Sequence, residues 1–154
     1  MLPAMSESPG IRMVDVGDKP LGTRTARASA RLRARPATIE RIRAGALEKG
    51  DATATARLAA VMAAKRTADI VPLCHPLPLD AVTCEIEFAA DAILVATTVR
   101  ATARTGVEME ALVAATAAAL AVYDMCKSID RDITIESVRL EEKTGGTRGD
   151  YRRA

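Results

Sequence analysis

Two segments of this chain have almost nothing that suits them to water. Residues 52–64 contain a single charge, Arg57, and residues 111–123 contain none. Alanine dominates both, which favours helix. A helix apolar on every side must be covered on every side. A sheet covers one side only, and a chain of 154 residues has little else to offer. The pattern therefore predicts two core helices packed closely through small side chains, with another subunit as the simplest remaining cover.

The rest of the chain supplies the sheet. Thr23–Ala34 alternates, with Ala26, Ala28, Ala30 and Leu32 on one side and Thr25, Arg27, Ser29, Arg31 and Arg33 on the other, as in a half-exposed strand. Pro36 opens a short helix carrying Ile39 and Ile42 on one face. Lys49-Gly50-Asp51 is a turn, and Asp51 is a suitable N-cap for a helix running to about Arg66. Pro72, Pro76 and Pro78 bar regular structure from 70–79 and stiffen the loop holding Leu73-Cys74-His75. Residues 81–89 and 92–103 read as a hairpin. A long helix follows Gly106, from about Glu108 to Ser128, and a last strand covers 132–142. The order β-α-α-β-β-α-β is a split βαβ pattern plus one extra helix, an α+β fold with an antiparallel sheet and helices on one face. We expect a flexible N-terminal arm at 1–22, one α+β domain at 23–143 and a flexible tail at 144–154.

Composition narrows the class. With 49% apolar residues and a net charge of +2, the chain is neither disordered nor histone-like. Three widely spaced cysteines do not make a disulfide framework, and Met1–Gly10 lacks the apolar core of a secretory leader, so a reducing, cytoplasmic setting is expected. The longest uncharged stretch, 111–123, falls short of the ~20 residues of a membrane span.

His75 is the only histidine, and its rigid loop would fix it for use as an acid or base. Cys74 beside it is either a nucleophile or a small inert thiol. Lys49 lies in a turn before a helix N-terminus. Asp124 and Lys127, three apart, share a face at the end of the long helix, as either a catalytic pair or a surface ion pair. Glu110, at the other end, lies 14 residues from Asp124, about 21 Å along the axis. One small molecule touching both needs a second subunit. Lys19, Arg24 and the arginines of the first strand could meet phosphates. The Cys and His spacings do not suit a metal site.

Several strings taken together resemble the cyclic pyranopterin monophosphate synthase (MoaC) family of molybdenum cofactor biosynthesis. They are Met13–Val16, Lys49–Asp51, Ala64–Thr67, Pro72–Leu77, Thr105–Leu112 and Tyr123–Lys127, in order over about 11–150, closed by Gly145-Gly146 and Gly149-Asp150. The resemblance implies a ferredoxin-like α+β fold and a homohexamer, a trimer of dimers, with active sites at subunit interfaces. It implies a substrate, (8S)-3′,8-cyclo-7,8-dihydroguanosine 5′-triphosphate, rearranged to the cyclic monophosphate with release of pyrophosphate. Asp124, Lys49, Lys127 and His75 match catalytic positions. Leu73, Cys74, His75, Met109, Glu110, Lys19, Arg24 and Lys65 match substrate-binding ones. Acid–base chemistry needs no metal or cofactor of its own, and Mg²⁺ carried on the substrate phosphates is compatible with it. Arg12, where the family often has His, and Ala103-Arg104, where Gly-Lys is common, depart from the pattern. The rival expectation is an RNA-binding module, since split βαβ domains can bind RNA. That mode stacks bases on sheet aromatics, and Phe88 is the only aromatic in an expected strand. We expect no nucleic acid and no membrane among the partners.

Overall fold

The structure, a computed structural model, describes residues 10–154. The chain runs β1 (Gly22–Arg33), α1 (Pro36–Arg43), α2 (Ala52–Ala64), α3 (Thr67–Ile70), β2 (Ala81–Phe88), β3 (Ala92–Ala103), α4 (Glu108–Cys126), β4 (Thr134–Thr144) and β5 (Tyr151–Arg152). The sheet order is β2-β3-β1-β4-β5, with antiparallel pairing throughout. Its first four strands have the ferredoxin-like order, and α1 and α3 are added before β2.

The alternation of β1 sorts its faces as expected. Ala26, Ala28, Ala30 and Leu32 are buried under the helices. Two register shifts against β4, at Arg27/Ala28 and Arg31/Leu32, bend the strand without inverting it. In α2, Ala52, Ala56, Ala60 and Ala64 recur every four residues and are all buried. In α4, Ala111, Ala114, Ala115, Ala118 and Ala119 are fully buried. These small side chains let α2 and α4 pack closely against each other and the sheet. Thr97, buried in β3, donates through Oγ1 to the Ala111 carbonyl at 2.8 Å and ties α4 to the sheet.

By length and composition α4 is apolar enough to cross a bilayer. Here it is the central core helix. Among the described residues nothing covers the outer faces of the helix pair: Leu58, Met62 and Leu120 are 61%, 48% and 55% exposed.

Asp51 caps α2 as expected, accepting from Ala54 N at 2.9 Å. The short α3 intrudes on the segment expected to be irregular; it ends at Ile70, just before Pro72. Of the expected arm, residues 1–9 lie outside the described residues, and 10–21 form no helix or strand. The segment expected to be a flexible tail holds β5, which pairs Tyr151 with Lys143 and Arg152 with Glu142.

Candidate active site

One end of the sheet opens into a pocket of about 350 Å³. Five segments build it: the arm through Val14, Val16 and Lys19, β1 through Arg24 and Thr25, the proline loop through Leu73, Cys74 and His75, the turn into α4 through Met109 and Glu110, and the β4 end through Lys143 and Gly146. The prolines keep the loop irregular, and one backbone bond, Cys74 N to the Val71 carbonyl at 3.1 Å, closes its turn. Seven of the expected site residues, Lys19, Arg24, Leu73, Cys74, His75, Met109 and Glu110, thus share one cavity.

Arg24 is only 3% exposed. Its guanidinium donates to the carbonyls of Ala103 at 3.2 Å, Gly145 at 2.5 Å and Arg104 at 3.4 Å. Most of its hydrogen-bonding capacity therefore clamps three chain segments at the pocket mouth. Its positive charge still faces the cavity. Gly145 is needed where it stands: its φ is +82°, and a Cβ there would lie 1.9 Å from the Thr23 carbonyl oxygen.

The acids are set apart by their surroundings. Glu108 pairs with Lys143 at 3.3 Å. Glu110 is 4% exposed, and burial first, opposed by a backbone hydrogen bond and aided by Glu108, holds its carboxyl above the usual carboxylate range. Burial, then Glu110 and Glu108, push the Cys74 thiol up. Cys74 is thus a protonated contact residue at neutral pH rather than an activated nucleophile.

A second cluster lies at the other end of α4. Lys49, from the turn before α2, donates to Asp124 Oδ2 at 2.8 Å, and Lys127 meets Asp124 Oδ1 at 2.8 Å. The three side chains are about half exposed. The catalytic set expected from the sequence is therefore divided within one chain: His75 lies in the pocket, and Lys49, Asp124 and Lys127 lie at the opposite helix end. Lys65 follows α2 and is exposed, lining neither the pocket nor the cluster.

Sequence reasoning passed over Lys143, Thr147 and Arg148, which line the pocket from β4 and the loop after it. Their only signal in the sequence is the neighbouring Gly145-Gly146, which belongs both to the expected tail and to the strings that carry the family resemblance. Arg104 lines the pocket, whereas Arg12 is exposed outside it. Among the described residues no group of three His, Cys, Asp or Glu side chains is arranged to hold a metal ion.

Fold and site together define a ferredoxin-like α+β protein with a cation-rich, acid-containing pocket at one end of its core helix and a Lys-Asp-Lys cluster at the other. Residues 13–146 match the model of the MoaC family. The chain is 54% identical over 153 residues to a cyclic pyranopterin monophosphate synthase of Herpetosiphon aurantiacus, covering 98% of this chain and 93% of that protein. It is 52% identical to cyclic pyranopterin monophosphate synthase 3 of Mycobacterium tuberculosis, covering 99% and 87%, and 52% identical to the Streptomyces griseus synthase, covering 97% and 84%. The chain belongs to the MoaC family.

Proposed function

We propose that this chain is a lyase of molybdenum cofactor biosynthesis, a cyclic pyranopterin monophosphate synthase. Its substrate in this reading is (8S)-3′,8-cyclo-7,8-dihydroguanosine 5′-triphosphate, and its products are the cyclic monophosphate and pyrophosphate. The observation that carries this reading is the meeting of the arm, the Leu-Cys-His loop and the Thr-Gly-Val-Glu-Met-Glu turn in one cavity. Lys19, Arg24, Lys143 and Arg148 give it the positive charge a triphosphate needs. Cys74, His75, Met109 and Glu110 give it a wall for the ring. Ring rearrangement and phosphate closure are non-redox steps, served by acids and bases with no cofactor. Mg²⁺ would enter with the phosphates.

The active unit in this reading is a homohexamer, a trimer of dimers, with sites at subunit interfaces. The distance of about 21 Å between Glu110 and Asp124 along α4 supports it. Ala117 is midway between them. A two-fold axis crossing α4 there sets Asp124 of one copy beside Glu110 of the other, and covers Leu120 on the exposed outer face. The setting is the cytoplasm, with neither nucleic acid nor membrane as partner.

Incubation of the purified protein with the cyclised nucleotide should yield the cyclic monophosphate and pyrophosphate in equal amounts. No turnover, with tight binding of an RNA oligonucleotide instead, would overturn the reading. The RNA-binding alternative lacks its platform: Phe88 packs on the helix side against the core, and the open face of β1–β4 carries no aromatic among the described residues.

A further inference from the structure

We propose that Arg153 is a positioning residue of this site: by holding β5 against the edge of β4 it fixes the turn that presents Arg148 to the cavity, and it acts on the substrate phosphates only through Arg148. This rests on the functional reading above and extends it to a residue outside the pocket.

The loop between β4 and β5 forms one wall of the cavity, through Thr144, Gly146, Thr147 and Arg148. Its tip is a four-residue turn closed by Gly149 N, which donates to the Gly146 carbonyl at 3.3 Å. Thr147 and Arg148 occupy the central positions, and Gly149 has a φ of +86°. Among the described residues no hydrogen bond holds Thr147 or Arg148 itself. Where they point therefore depends on how the two ends of the loop are fixed.

At the first end Gly145 is held twice. Its carbonyl accepts from Arg24 at 2.5 Å, and its N–H donates to Asp150 Oδ1 at 3.2 Å. The second end depends on β5. That strand has only Tyr151 and Arg152, and neither side chain is buried. A ladder so short is marginal by itself. Arg153 extends it: its backbone N–H donates to the Glu141 carbonyl at 2.8 Å and its Nε to the Leu140 carbonyl at 2.8 Å. The same Nε lies 3.7 Å from Glu141 Oε2. Arg153 does not line the cavity.

The cations that do line it are held in different ways. Arg24 is engaged on three carbonyls and Lys143 on Glu108. Lys19, Arg104 and Arg148 have no side-chain ion pair among the described residues and are open to an anion. The turn of Arg104 is fixed by Arg24. Arg148 alone stands on a loop whose far end is held by β5. A turn fixed beforehand removes part of the ordering cost of binding.

Hydrogen exchange in the assembled, ligand-free protein tests the hold. In Arg153→Ala, peptides spanning 144–150 should exchange about tenfold faster, with those of α4 and β1 unchanged. Steady-state kinetics with the cyclised nucleotide test the consequence. Arg153→Ala should raise KM by about tenfold and leave kcat within about twofold, and Arg148→Ala should do the same. The double variant should be no worse than Arg148→Ala alone, because one residue acts through the other. Arg153→Lys, which keeps a charged donor for the Leu140 carbonyl, should recover most of the loss. Unchanged exchange in 144–150, faster exchange throughout α4 and β1, an unchanged KM, or losses that add in the double variant would each overturn the proposal. Wild-type protein that neither binds nor converts the nucleotide overturns the functional reading, and the phosphate role of Arg148 with it, whatever the exchange rates show.

Discussion

Lys49 and Asp124 stand 75 residues apart in sequence, yet Lys49 Nζ lies 2.8 Å from Asp124 Oδ2 and 3.3 Å from the Asp124 carbonyl oxygen. With Lys127 on its other oxygen, the carboxylate is held between two ammonium groups. The hydrogen bond from Lys127, then that from Lys49, lowers the Asp124 pKa to about 2, and Asp124 in turn raises that of Lys127. Such a carboxylate is a weak base near neutrality. In the proposed reaction it would serve by holding the two lysines in place and keeping Lys127 charged.

Asp124→Asn keeps shape and removes charge. Turnover should fall by ~10²-fold or more, and binding much less. The depressed folded pKa means that the carboxylate interactions are complete above the ordinary aspartate range and are lost only as pH falls towards 2. The acid limb of the wild-type rate profile above about pH 4 should therefore belong to another group. Rate profiles of the two proteins decide it: a variant with wild-type turnover would reduce the cluster to a surface ion network.

Lys49→Ala should abolish nearly all turnover while circular dichroism and sedimentation stay those of wild type. The lysine is half exposed in a turn and contributes little packing. Retention of most activity removes Lys49 from the catalytic set.

Mixed assemblies test the interface. Asp124→Asn and Glu110→Ala subunits should each be inactive alone. After verified subunit exchange, some sites would combine an intact Asp124 from one chain with an intact Glu110 from the other, and activity should return. No recovery means that the site is not shared across the interface.

Gly145→Ala should destabilise the fold by about 1–3 kcal/mol, through positive φ and collision with the Thr23 carbonyl. Because Gly145 also accepts from Arg24, substrate affinity should fall with stability. Denaturant melts and titration calorimetry would show both; an unchanged midpoint contradicts the clamp.

Asp130 is a buried carboxylate away from the pocket, 2% exposed. Oδ2 accepts from Arg35 N at 3.1 Å and Thr38 Oγ1 at 2.8 Å, and Arg35 Nε lies 3.4 Å from Oδ1. Burial pushes its pKa up, but the hydrogen bonds and the Arg35 charge together hold it down. Its contribution is therefore present above the unfolded aspartate value and is lost as pH falls through the depressed folded value. Asp130→Ala should cost about 1–3 kcal/mol near neutrality, with the gap to wild type narrowing in acid. A gap that is constant with pH would contradict this.

The elements were largely legible because they rest on local pattern. The alternation of Thr23–Ala34, the N-cap Asp51 and the alanine-rich helices each follow from side-chain spacing alone. What was missed depends on distant partners. β5 forms because Glu142 and Lys143 offer it an edge, which no spacing within 144–154 announces. Lys143 and Arg148 became pocket residues only when β4 laid its end beside the turn into α4. Arg24, which the sequence offers as a phosphate contact, is a clamp in the structure, because its three acceptors come from β3, the turn after it and the end of β4.

By itself the sequence determined the residue types and their local order: a stiff Leu-Cys-His loop, two acids in the first turn of a helix, and an aspartate and lysine three apart at its other end. These follow from proline geometry and helical periodicity. Only the tertiary structure decided which of them meet. The antiparallel packing of α2 on α4 brings Lys49 to Asp124, and the sheet end buries Glu110 while leaving Glu108 its lysine. Protonation and charge pairing depend on distances and burial across the whole chain, and those exist only once it has folded.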